Sequence, residues 1–278
     1  MKTILLVASD SIQALLHQKI LIGLMVASIA FTIFCSVALS TARKGIKQAY
    51  SVDQTTVVTS SGTAANPFVS KVSDSDRRKF QEQMEVASSQ MQGFFYAVAS
   101  FGGTIVALFI FSTAVASEIR RGTIRLTLSK PVSRMQFLLG KYLGGIAVMA
   151  GYALIISVAM VLFSVTQGVD LNPAVKWSPW LMFCEQLMIG SVAMLLSLFM
   201  PPIIAAVLAF FSGNGLYGLH NPLYYILPSY RDFNMTTQVM VGSLVDWKDV
   251  CYLSLYAADF VAIMLLIALW RFRKKELV

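Results

Sequence analysis

The sequence predicts an all-α integral membrane protein that forms a single domain over residues 1–278. Composition is the first reason, because 56% of the residues are hydrophobic, only 13% are charged and the mean hydropathy is +0.68. A soluble domain carries about 25% charged residues. The second reason is a set of apolar runs near the length of a membrane-spanning helix, about 17–25 residues. The third is that all four tryptophans fall at predicted ends of these runs, where interfacial aromatic belts lie.

Six transmembrane helices are predicted from the apolar runs. They cover residues 21–39, 94–116, 142–165, 180–200, 203–219 and 251–270. The fifth is the least regular, because the polar, glycine-containing stretch 212–215 interrupts it. On the third, Gly140, Gly144, Ala147 and Gly151 recur on one face, and such a track of small residues lets another helix come close.

Residues 1–20 predict an amphipathic helix that lies in the membrane interface. The apolar residues Ile4, Ala8, Ile12 and Leu15 recur at helical spacing, and polar residues occupy the other side. A helix of this kind lies in the plane of the interface and leads into the first span. Polar residues interrupt its apolar part and no small-residue cleavage site follows, so it does not match a cleavable signal.

Two longer segments are predicted on one side of the membrane, and the family resemblance described below implies that this side is outside the cytoplasm. Residues 40–93 form an extracytoplasmic loop whose last part, starting near Asp74 or Asp76, is a helical stalk that runs into the second span. Residues 220–250 are half polar and half aromatic, too broken to span a membrane. We interpret them as an outer re-entrant segment of short helices.

The connection between the second and third spans, residues 117–141, is the most basic short segment of the chain. Its charged residues are one acid and six cations: Glu118, Arg120, Arg121, Arg125, Lys130, Arg134 and Lys141. Ser117 is a candidate helix cap. Lys130 is expected to end a helix, because the residue before a proline avoids the α region. A second helix is then expected from Ser133, so the connection predicts a short, rigid, positively charged feature beside the membrane.

The motif in this connection resembles that of a known family. The residues that carry the resemblance are Glu118, Gly122-Thr123, Leu126-x-Leu128-Ser129-Lys130-Pro131-Val132-Ser133-Arg134 and Phe137-Leu138-x-Gly140-Lys141. They are similar to the cytoplasmic loop between spans 2 and 3 of type-2 ABC export permeases, in the branch that includes the copper-enzyme maturation permeases. The six-span layout extends the resemblance over the whole chain.

The resemblance implies that segment 117–141 contains a coupling helix, which rests on an ATP-hydrolysing partner. It implies two copies of an ATP-binding cassette ATPase subunit, and a homodimer or a heterodimer with a second permease. The residues expected to carry the coupling are Glu118, Arg120, Arg121, Arg125, Lys130 and Arg134. It also implies a multi-pass protein of the bacterial cytoplasmic (inner) membrane with both termini in the cytoplasm. A simpler alternative is that the cations only set the topology and bind anionic lipid.

The sequence offers no motif for catalysis, cofactor binding or metal binding. It has no G-x-x-x-x-G-K-[ST] loop to hold nucleotide phosphates, only two histidines, and three cysteines without metal-type spacing. The net charge of +8 gathers at the span ends, which indicates a lipid bilayer rather than nucleic acid as the partner. The fourteen methionines are scattered, which is typical of packing between helices rather than of copper binding.

Two acids fall inside predicted spans, Glu185 in the fourth and Asp259 in the sixth. At 1.5 Å per residue, Glu185 lies about 8 Å below Trp180 and Asp259 about 12 Å below Cys251. An ionised side chain at such depth costs about 3 kcal/mol unless it faces protein or water, so both acids are candidates for a translocation path. The alternative is that each bonds to a neighbouring tyrosine or serine and only joins helices.

Three classes of function follow from these observations. The first is the permease subunit of an ABC transporter, in particular an exporter. The second is a membrane-embedded enzyme, such as a lipid transferase, which needs a cluster of polar catalytic groups at one depth; the sequence offers only Glu185, Asp259 and the Tyr230-Arg231-Asp232 loop. The third is a non-transporting mechanotransmission or assembly protein coupled to an ATPase. The sequence favours the first, hardly separates it from the third, and leaves the substrate open.

Overall fold

The computed structural model describes residues 2–17, 74–121, 133–167, 173–214 and 229–274, together with seven positions between 23 and 41. Over these residues the chain is helical, with short turns between helices and no strand. The α-helices are α1 (Lys2–His17), α2 (Asp74–Arg121), α3 (Arg134–Gln167), α4 (Ser178–Ser197), α5 (Pro202–Asn214), α6 (Thr236–Val241) and α7 (Trp247–Lys274). Short 3-10 helices cover Pro173–Lys176 and Tyr230–Phe233.

Helix α4 lies at the centre of the bundle. It packs against α2, α3, α5 and α7. Its apolar stretch is 72% buried, whereas that of α7 is only 17% buried. Helix α4 also carries the buried polar residues Glu185 and Gln186, and a position surrounded by other helices keeps such side chains against protein rather than lipid. Helix α7 lies at the edge and leaves most of its surface uncovered by the described bundle.

Three helices meet around one aromatic ring. The Phe111 side chain of α2 is fully buried, and its ring centroid lies 4.9 Å from that of Tyr142 on α3. A Cβ on Gly145 of α3 would lie 2.5 Å from Phe111 Cε1, and a Cβ on Gly190 of α4 would overlap Phe111 Cδ2. Because real Cβ atoms do not approach so closely, both glycines are needed for α3 and α4 to close on this ring.

Helix α1 packs along α3, with Ala8 and Ser11 buried and Asp10 exposed. The two helices come close together at Gly144, where a Cβ would lie 2.8 Å from Ser11 Cβ. The predicted track of small residues on α3 therefore receives α1 at this point. At Gly151, about two helical turns further along α3, a Cβ would meet nothing within 4 Å among the described residues.

The predicted stalk and second span form one continuous helix, α2, of 48 residues. Its length is about 72 Å, more than twice the thickness of the hydrocarbon core, about 30 Å. Its apolar part is Val86–Glu118. The short helix α6 packs against it at Gly93, where a Cβ would overlap the Met240 side chain and lie 3.1 Å from its backbone.

Four helices of the described chain are long and apolar enough to cross a membrane, namely Val86–Glu118, Arg134–Val165, Ser178–Ser197 and Trp247–Lys274. They lie at the second, third, fourth and sixth predicted spans. At the fifth, α5 has 13 residues, about 20 Å, and positions 215–219 fall outside the described residues. The described positions of the first predicted span are helical, but most of it lies outside the description. The six-span count therefore stays a prediction.

The predicted outer segments are described only in part. Residues 42–73 of the long loop and 220–228 of the re-entrant segment lie outside the described residues. From Ser229 onward, the 3-10 helix buries Tyr230 and Phe233 and α6 buries Val239, and these elements pack against α2 and α4. Re-entry into the membrane stays a prediction.

Candidate functional site

Helix α3 begins, at the end of the basic connection, with a capping box. The backbone N–H of Ser133 donates to Gln136 Oε1 at 3.1 Å, and the N–H of Gln136 donates to Ser133 Oγ at 3.2 Å. This reciprocal pair satisfies N–H groups that have no partner inside the helix. The box fixes the start of the helix, and with it the positions of Arg134, Phe137 and Lys141 on successive turns.

An ion pair joins the two helices on either side of the connection. Glu118, in the last turn of α2, pairs with the ammonium group of Lys141 on α3. The two side chains are only 22% and 11% exposed, respectively. The Lys141 ammonium also lies 5.7 Å from the ring centroid of Phe137. Salt screens such a shielded pair much less than an exposed one, so it holds α2 and α3 together at this point.

Arg134 joins the same region to α7. Its Nη1 donates to the backbone carbonyls of Phe272 and Arg273, at 3.1 Å each. These are among the last carbonyls of α7, which have no partner inside the helix, and a cation at this end is also favoured by the helix dipole. The rings of Phe137 and Phe272 stack beside it with centroids 6.1 Å apart. We call the residues Glu118, Arg134, Phe137, Lys141 and Phe272 the charged end.

A second polar group lies inside the bundle, between α2 and α4. Glu185 of α4 is buried, and the Ser100 hydroxyl of α2 donates to its Oε2 at 3.5 Å. The adjacent Gln186 is fully buried, and neither of its amide atoms has a hydrogen-bond partner among the residues that the structure describes. This amide occupies the space that Gly103 leaves by lacking a side chain. We call Ser100, Glu185 and Gln186 the buried polar group.

Asp259 lies apart from the buried polar group. It is on an exposed face of α7 and makes no ion pair or hydrogen bond with a described residue. The nearby Ser254 hydroxyl instead donates to the Val250 carbonyl at 2.7 Å and accepts from Trp180 Nε1 at 2.8 Å. Within one chain the two acids are therefore not paired.

Comparison with known families shows to which family the chain belongs. The family model described as ABC-2 family transporter protein matches residues 5–277. The chain belongs to the ABC-2 transporter family. The match confirms the resemblance to type-2 ABC permeases, and it makes the chain a multi-pass membrane protein of a transport family. No curated protein matches the chain. ABC-2 permeases are membrane components that typically work with separate ATPase subunits.

The charged end of this ABC-2 protein contains two of the residues predicted for coupling, Glu118 and Arg134. Two more, Arg120 and Arg121, lie in the last turn of α2, where the structure describes the backbone but not their side chains. The remaining two predicted coupling residues, at positions 125 and 130, lie outside the described residues.

Three members of the charged end were not predicted as site residues. Phe137 and Lys141 lie in the connecting segment and within its motif, so the sequence contained a signal for them. Phe272 lies in an ordinary basic and aromatic C-terminal stretch, more than 130 positions from Arg134. Nothing in the sequence indicates that its backbone carbonyl accepts from this arginine.

Proposed function

We propose that this ABC-2 protein is the permease subunit of an ABC exporter and that separate ATPase subunits dock at its charged end. The main support is the meeting of three long helices there. The Glu118–Lys141 ion pair holds the end of α2 to the start of α3, and Arg134 holds the start of α3 to the end of α7. A movement of the basic connection would therefore be transmitted to α2, α3 and α7 together.

The proposed assembly is a dimer of permease subunits, identical or not, with two ATPase subunits in the bacterial inner membrane. Both termini and the connection 117–141 are proposed to lie in the cytoplasm. The orientation is supported by charge, because the last turn of α7 carries Arg271, Arg273 and Lys274 close to the charged end. Cations gather on the cytoplasmic side of membrane proteins.

The proposed mechanism is alternating access between two arrangements of the helices. ATP binding closes the ATPase subunits against the connection, and the α2–α3 pair and α7 shift together relative to the rest of the bundle. Such a step needs an element with two stable positions whose equilibrium the nucleotide biases. The proposed coupling residues are Glu118, Arg120, Arg121, Arg125, Lys130 and Arg134.

The proposed translocation path involves Glu185 and Asp259. Glu185 is buried between α2 and α4 beside an amide without a partner among the described residues, so a helix shift there would expose polar groups. Asp259 is exposed on α7 of the single chain. An acid facing lipid costs about 3 kcal/mol, so its position supports an arrangement in which this face of α7 meets a second subunit or a water-filled path.

A second candidate function is mechanotransmission without transport. It is supported by α2, because a continuous helix of 48 residues runs from the charged end to far beyond the hydrocarbon core. Such a helix could carry a movement made by the ATPase to a partner outside the membrane. A protein of this kind would change the environment of the N-terminal end of α2 during ATP hydrolysis while no substrate crosses the membrane.

The purified chain alone should hydrolyse no ATP, and hydrolysis should begin when a partner ATP-binding cassette ATPase subunit is added. The physical reason is that the chain has no glycine-rich loop to hold the nucleotide phosphates. Phosphate release from proteoliposomes measures this. The control is the ATPase subunit with its phosphate-binding lysine replaced by alanine. Sustained ATP turnover by the chain alone would remove the proposal.

The Glu185→Gln and Asp259→Asn variants should assemble normally, and at least one should lose about tenfold or more of its transport rate. Each change keeps the shape of the side chain and removes its charge, so a fall in transport reports the charge itself. Asp249→Asn, an exposed acid in the first turn of α7, is the matched control. Transport at the original rate by both variants, with lower stability to heat, would make the acids structural.

A further inference from the structure

A groove of about 690 Å³ lies between α3 and α4, at the end of the bundle opposite to the charged end. Its walls are mostly apolar, formed by Ala150, Ala153, Leu154, Val161 and Phe183 among others. The α3 residues recur at intervals of three or four and so line one face of that helix. From residue 150 to residue 161 the groove extends about 16 Å along the helix axis.

One long side of the groove opens towards the membrane. In the described part of the chain, Leu154 is 67% exposed and Val161 46% exposed. The apolar stretch of α3 is only 33% buried overall. Apolar side chains that the bundle leaves exposed along a membrane-spanning helix can pack against lipid acyl chains, which are equally apolar. The groove is therefore accessible from the hydrocarbon layer, parallel to the direction in which acyl chains lie.

The mouth of the groove carries a cation and an interfacial aromatic residue. Lys176, the last residue of the 3-10 helix, lines the mouth and is exposed, and it has no acidic partner among the residues that the structure describes. Trp180 also lines it, with Nε1 held by the Ser254 hydroxyl of α7 at 2.8 Å. Tryptophan is enriched at the depth of the headgroups, so a cation that lines the same mouth is placed to reach lipid phosphates.

We propose that this groove binds one anionic phospholipid, with an acyl chain along α3 and the headgroup phosphate on Lys176. The volume falls within the range of small-molecule sites, about 300–1,000 Å³. The two parts of the lipid match the two parts of the groove. The acyl chain suits the apolar walls, and lysine binds phosphate as a point charge. The proposal goes beyond the permease function, and it depends neither on the ATPase nor on the direction of transport.

Native mass spectrometry of the full chain with phosphatidylglycerol or phosphatidylcholine of the same acyl chains tests the site. We expect one phosphatidylglycerol retained per chain, in preference to phosphatidylcholine. Lys176→Gln should lower that preference about fivefold, the effect of one lysine beside an anionic lipid. Lys248→Gln, which removes an exposed cation at the same end but outside the groove, should leave it unchanged. Equal retention of the two lipids, or equal effects of the two variants, would overturn the proposal.

A second variant tests the apolar part of the site. Ser157 lies in the groove midway along its α3 wall, so Ser157→Leu should fill the space and lower retention of the lipid without changing the melting temperature. Glycerol phosphate at millimolar concentration should not displace the lipid, because the acyl chain contributes to binding. Complete displacement would show a site for small anions instead. Dissociation of a dimer by Ser157→Leu with lipid retention unchanged would show that a second copy fills the groove. Either result overturns the proposal.

Discussion

Replacing Glu118 with alanine should leave the chain inserted and the partner ATPase active, while substrate moved per ATP hydrolysed falls about tenfold or more. The change leaves the Lys141 ammonium, only 11% exposed, without its partner. Removing one member of a buried ion pair costs about 3–5 kcal/mol, and less where water reaches the pair, as it does here. Helices α2 and α3 would then no longer move as one unit. Parallel measurement of phosphate release and transport in proteoliposomes gives the ratio.

The charge-swapped double variant, Glu118→Lys with Lys141→Glu, distinguishes two roles of the ion pair. The pair could hold α2 to α3, or Glu118 could contact the ATPase directly. If the ion pair acts by holding α2 to α3, the swap should restore most of the coupling. Asp249→Ala removes an exposed acid at the opposite end of the bundle and should change nothing. An unchanged transport ratio in the Glu118→Ala variant would mean that the connection only sets topology.

The Gly190→Ala variant should lower the melting temperature by about 5–10 °C and reduce the yield of folded protein. The added Cβ would overlap the ring of Phe111, which Gly145 confines from the other side, so the ring has no space into which to retreat. Overpacking of a core costs about 1–3 kcal/mol, and each 1 kcal/mol shifts the midpoint by roughly 2–4 °C in a chain of this size. Thermal unfolding in detergent, followed by fluorescence, measures the shift.

Two further variants make this prediction specific. Gly151→Ala makes the same change on α3, where a Cβ meets nothing within 4 Å, so it should be neutral or slightly stabilising because alanine favours helix. Phe111→Leu combined with Gly190→Ala should recover part of the lost stability, because the smaller leucine side chain leaves room for the added Cβ. Equal melting temperatures for Gly151→Ala and Gly190→Ala would show that α2 and α4 do not approach at this ring.

Periodic features of the sequence led directly to parts of the fold. The predicted face of α1 includes Ala8, which is buried, and the track of small residues on α3 includes Gly144, which receives α1. Both depend on local helical spacing, which a single sequence reveals. The sequence also predicts a helical stalk that starts near Asp74 and runs into the second span, and α2 is continuous from Asp74 to Arg121 although its polar and apolar parts differ in composition.

Contacts between distant residues could not be predicted in the same way. Glu118 and Lys141 stand within one motif, yet the sequence alone does not say which of six cations pairs with the acid. Glu185 and Asp259 looked alike as acids inside apolar runs, but the first is buried and the second is exposed. The difference arises from the central position of α4 and the edge position of α7, which depend on packing between helices rather than on local pattern.

Photo-crosslinking tests most directly the claim that the ATPase docks at the charged end. A photoreactive amino acid at position 125, in the basic connection, should crosslink to the co-expressed ATPase subunit. The same amino acid at position 176, at the far end of the bundle, should give no such crosslink. A crosslink from position 176 but none from position 125, in a complex that purifies intact, would contradict the account.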